Sequence, residues 1–97
     1  MNTSGKHLRH LRKSRSILLR QVAAKLDIDT AVISKIESGN KILIESQVTL
    51  FANFYNVSSE ELLTLRLCDV IFENLKNKPL SRCWKALDLA KEELKKR

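Results

Sequence analysis

Thr30, Ala31, Ser34 and Lys35 lie one, three and one residues apart in the segment TAVISKIES, which also carries Ile33 and Ile36. On an α-helix that spacing gathers two hydroxyls, a methyl and a cation on one face and leaves the two isoleucines for another. Such a set holds no nucleophile–base pair. What it can do is exchange hydrogen bonds with base edges in a DNA major groove, where the Ala31 methyl also suits the methyl of thymine. Arg20, Gln21 and Lys25 stand before the segment, and Asn40 and Lys41 follow it. Long cationic and amide side chains of this kind reach phosphate oxygens, contacts that position a protein without reading sequence. Asn40 and Lys41 also read as an ordinary solvated loop, and Arg9, Lys13 and Arg15 read equally well as soluble surface.

Charge favours a polyanionic partner. The chain of 97 residues has a formal charge of +7, and residues 1–45 contribute +5 of it. A basic N-terminal half is the electrostatic footprint of a phosphate-binding surface. Other classes find no support. His7 and His10 lack an acid or nucleophile partner, and with two glycines in the chain there is no Gly-rich phosphate loop, so no enzyme and no cofactor is expected. Cys68 and Cys83 lack the C-x-x-C spacing of a metal site and read as buried, reduced thiols, so no metal is expected. No apolar run exceeds three residues, which leaves neither a membrane span nor a secretory signal and places the protein in the cytoplasm.

These side chains need helices to hold them. One proline and two glycines in a chain rich in Leu, Lys, Arg, Glu and Ala predict an all-α fold. Leu8 and Leu11 mark a first, basic helix, and Leu18 to Leu26 a second. Asp29 is the expected N-cap of a third, Thr30 to Ser38, closed by Gly39-Asn40 in a left-handed cap. Val48, Phe51, Ala52 and Tyr55 define a fourth. Ser58-Ser59-Glu60-Glu61 reads as a capping box for a long fifth helix reaching Lys76. Pro79 breaks the pattern, and Ser81 opens a last helix with the stripe Cys83, Trp84, Leu87, Ala90 and Leu94.

The second and third helices are joined by Asp27-Ile28-Asp29. So tight a corner requires a small residue at the contact, which Ala23 supplies, and positive φ near Asp27, which Asp tolerates better than most side chains. From about Gly5 to Leu63 the sequence resembles the phage repressor-like (XRE, Cro/CI-type) helix-turn-helix family, through the fragments GKHLRHLR, QVAAKLDI, VISKIESG and LFANFYNVSSEELL. The resemblance implies a five-helix phage repressor-like domain over residues 1–65, an internal ion pair between Arg12 and Glu37, and duplex DNA as partner. Three departures stand out. Leu18-Leu19 replace the usual Ser/Thr-Gln at the start of the second helix, Asp27 replaces Gly, and Leu43 replaces Pro.

Residues 66–97 are left as a C-terminal helical extension. Between Leu62 and Lys76 the residues Arg66, Asp69, Glu73 and Lys76 form one narrow polar wedge, while apolar side chains cover most of the remaining circumference. A helix that only covers its own small domain needs a single stripe. Leu67, Val70, Ile71, Leu75 and Trp84 are therefore expected to meet a second copy, giving a homodimer on a palindromic operator. The small size also resembles restriction–modification controller proteins. An antitoxin-type protein, whose C-terminal helices hold a partner protein, is the alternative, and a protein-interaction module without DNA binding is another.

Overall fold

A computed structural model describes residues 2–97. Six helices and no strand are present among the described residues: α1 (Thr3–Ser14), α2 (Leu19–Leu26), α3 (Thr30–Ser38), α4 (Glu45–Tyr55), α5 (Ser59–Leu75) and α6 (Leu80–Lys95). Local chemistry explains where each one stops. Asp27, Gly39 and Asn56 adopt left-handed backbone just past α2, α3 and α4, with φ of 55°, 86° and 54°. Asp29 accepts the Ala31 N–H at 2.7 Å and so caps α3. Ser58 accepts the Glu61 N–H at 3.2 Å, which makes a simple N-cap in place of the reciprocal capping box.

Each of α1–α5 contributes to one core. Leu8, Val22, Ile33, Ile36, Val48, Phe51, Tyr55 and Leu62 are buried together, and Leu43 joins them from the loop before α4. The apolar triplet Ile42-Leu43-Ile44 is therefore split, with Leu43 buried and Ile44 exposed. α6 takes no part in this core. Its single buried side chain is Cys83, and the packed helix pairs (α1 with α3 and α5, α4 with α5, α2 with α3) leave it out. Trp84 is 60% exposed, so it does not anchor the extension within the chain. Cys68 is exposed as well, contrary to the expectation of two buried thiols.

Tyr55 sits fully buried at the end of α4, and its hydroxyl has no hydrogen-bond partner among the described residues. Burial, reinforced by the charge of Glu37, pushes its pKa from 10.0 up to about 12. With the folded value raised, the unfolded chain releases the phenolic proton first. The associated stability is thus complete below pH 10 and is lost as pH rises toward 12. Tyr55→Phe should remove this alkaline loss, as seen in thermal melts compared at about pH 9 and about pH 11. An identical pH dependence in both proteins would show that the buried phenol contributes none of it.

Candidate nucleic-acid interface

The corner between α2 and α3 is built from the inside outward. Val22, Ile33 and Ile36 are fully buried, and Ala23, Leu26, Ile28 and Val32 pack partly covered beside them. The Ile28 N–H donates to the Ala23 carbonyl at 3.1 Å across the turn that Asp27 makes possible. Burying one side of α3 leaves the opposite side free. Thr30, Ala31, Ser34 and Lys35 are all exposed, and none of their side chains has a hydrogen-bond partner in the fold. The geometry presents a short helix whose small polar face is unused by its own protein, as insertion in a major groove requires.

The flanking side chains have different standing. Arg20 and Lys25 are exposed and unpaired on α2. Gln21 is exposed too, but its Oε1 accepts the Leu18 N–H at 2.7 Å. Sequence reasoning assigned Gln21 to phosphate alone. It also supplies, from inside the helix, a cap that Leu18 cannot make, and its amide N–H₂ stays available for an anion. Gln47 serves α4 in the same way, accepting the Ile44 N–H at 3.3 Å. After α3, the backbone N–H groups of Asn40 and Lys41 both donate to the Lys35 carbonyl, at 2.9 and 3.2 Å. Both side chains point to solvent beside the recognition face.

Arg12 and Glu37 come together behind that face. Arg12 Nε lies 2.8 Å from Glu37 Oε2, Nη2 lies 2.9 Å from Oε1, and Nη1 donates to the Ile17 carbonyl at 3.0 Å. The Glu37 carboxylate raises the pKa of the Arg12 guanidinium above its ordinary value, chiefly through these hydrogen bonds. The pair locks α1 to α3 and to the segment entering α2. Arg15 belongs to the same corner: it donates to the Tyr55 carbonyl, and its guanidinium carbon lies 5.7 Å from the centroid of the Tyr55 ring. Reading Arg15 as open surface missed this, because nothing in its local spacing marks a partner forty residues away.

The residues singled out on the extension do not meet one another's partners within the chain. Leu67, Ile71 and Trp84 are exposed, and Val70 and Leu75 are half-buried. Ile71, Phe72 and Leu75 of α5 face Leu80, Trp84 and Leu87 of α6 across an open apolar groove of about 380 Å³.

A family profile described as a helix-turn-helix domain matches residues 5–65. No curated protein and no solved structure matches the chain.

Proposed function

This chain belongs to the helix-turn-helix domain family, and on that premise we propose that it is a sequence-specific duplex-DNA-binding regulator of transcription, of the phage repressor (XRE, Cro/CI) type. It acts as a homodimer on a palindromic operator in the cytoplasm and performs no enzymatic step. The observation that carries the reading is the outward face of α3. Four exposed side chains able to touch base edges project from a helix whose other side is sealed by Ile33 and Ile36. The surrounding cations are those that phosphates need, and a net charge of +7 draws the duplex in.

In this reading Thr30, Ala31, Ser34 and Lys35 read bases, while Arg20, Gln21, Lys25, Asn40 and Lys41 hold the backbone. Selection of bound duplexes from a random pool should yield a symmetric motif. On that duplex, Lys35→Ala is expected to weaken specific binding by about 1–3 kcal/mol and to relax preference at one position. Arg20→Ala should reduce affinity on all sequences alike and flatten the salt dependence. Unchanged affinity in both variants at moderate salt would place the DNA face elsewhere.

One observation favours a second role for the extension. The groove between α5 and α6 is an apolar surface of the kind that binds other chains. The second copy of this chain is the occupant we favour, and a foreign protein held in antitoxin fashion is the competing one.

A further inference from the structure

The polar wedge of α5 turns its first half inward. Asp69 is 3% exposed, and its carboxylate accepts the backbone N–H and the hydroxyl of both Thr3 and Ser4. Those residues open α1. Asn2, just before them, accepts the Gly5 N–H at 2.9 Å and donates through Nδ2 to the Lys41 carbonyl at 3.2 Å. Gly5 in turn lies so close to α3 that a Cβ there would fall 1.9 Å from the Ile36 carbonyl oxygen. Three residues before Asp69, Arg66 donates through Nε to the Leu43 carbonyl at 2.8 Å.

The loop leaving the recognition helix is therefore held at two carbonyls, those of Lys41 and Leu43. Arg66 holds the second directly, and Asp69 governs the first through the N-terminus of α1. Farther along the same wedge Glu73 and Lys76, paired at 2.8 Å, border the depression that Gly39 to Ile42 also line. A buried carboxylate with four donors is not the cheapest way to pack α1 on α5, since apolar side chains of similar volume often serve at least as well. What it adds is a fixed register of the chain end against the loop.

We propose that Arg66 and Asp69 are positioning residues for DNA: acting with Asn2, they hold residues 39–44 so that Asn40 and Lys41 meet phosphate oxygens. This rests on the duplex-binding reading above. It gives α5 a task in DNA recognition although no residue of α5 touches the duplex.

The test measures affinity against salt concentration for the full chain on the duplex selected from the random pool, well below the melting temperature of each variant. Asn2→Ser keeps a capping oxygen at α1 but shortens the reach to Lys41, and Arg66→Gln removes the hold on Leu43 without depending on the α1 end. Each lost phosphate contact lowers the slope of log K against log salt by about 0.9. Both variants are expected to lose about that much or twice it, and Lys41→Ala added to either should take away little more. Arg66→Lys, which keeps a donor and the charge, should restore the slope. A purely structural role would lower the melting temperature and leave the slope alone, and that result, or additive losses with Lys41→Ala, overturns the proposal while the DNA-binding reading stands. Failure of the unaltered protein to bind any duplex would instead remove that reading, and this proposal with it.

Discussion

Arg12→Ala and Glu37→Ala are each expected to destabilise the fold by about 3–5 kcal/mol, the range for breaking a buried pair by removing one partner. The side chains are 12% and 6% exposed, and the guanidinium grips the carboxylate through two parallel hydrogen bonds. Removing Glu37 leaves a cation facing the core with only the Ile17 carbonyl to satisfy it. Removing Arg12 leaves a carboxylate beside the unpartnered Tyr55 hydroxyl environment, with Arg15 as the nearest remaining cation on that corner. A surface pair would be worth well under about 1 kcal/mol, so the magnitude separates the two cases. Chemical denaturation of both single variants and the double variant gives the coupling energy. Because each single change abolishes the same contact, the double variant should fall no lower than the worse single one by more than a small margin. Simple addition of the two losses would mean that the residues act separately and that the ion pair holds nothing.

The helix-turn-helix was legible because local rules act there without competition. Asp29 has a free N–H two residues on to cap, Gly39 can take positive φ at no steric cost, and Asp27 tolerates the left-handed turn that Gly would take more easily. The small, polar outer face of α3 follows from the 3.6-residue period once Ile33 and Ile36 are assigned to the core. What could not be read is what depends on distant partners. Nothing near Asp69 shows that its four donors lie at the far end of the chain, so a wedge that looks solvated on a helical wheel proves to be the inward side of α5. The same limit applies to Arg15 and to Leu43, whose burial compensates for the absence of a proline in that loop. For Gln21 the signal was present and pointed elsewhere. A glutamine three residues past a helix start is the reciprocal half of a capping box, and that half forms even where Leu18 cannot supply the other.

That inversion of α5 also decides how a dimer should be tested, because its apolar side is the one left bare. Leu67, Ile71 and Phe72 are 56%, 41% and 55% exposed, and on α6 Leu80, Trp84, Leu89 and Leu94 are all exposed by more than half. An amphipathic helix of this length is marginal alone in water and needs an apolar partner, which the first five helices do not give it. The full chain is expected to sediment as a species of twice 11.2 kDa at micromolar concentration. Cutting the chain after Leu63 would be a poor test, since it also removes Arg66 and Asp69 and with them the hold on α1 and on the loop. Removing residues 79–97, or introducing Ile71→Glu together with Phe72→Glu in the full chain, spares those contacts. Either change should yield a monomer that keeps its helix-turn-helix, with melting behaviour close to that of the parent domain. Operator affinity should nonetheless fall by about 10²–10⁴, because the second half-site is then no longer bound as an intramolecular event. In the intact dimer two recognition helices about 34 Å apart would meet successive turns of one groove, so insertion of about five base pairs between half-sites should be as damaging as the loss of dimerisation. A full chain that stays monomeric both free and on DNA, with affinity indifferent to half-site spacing, would reject the dimer and leave the apolar face of α5 and α6 to a different protein.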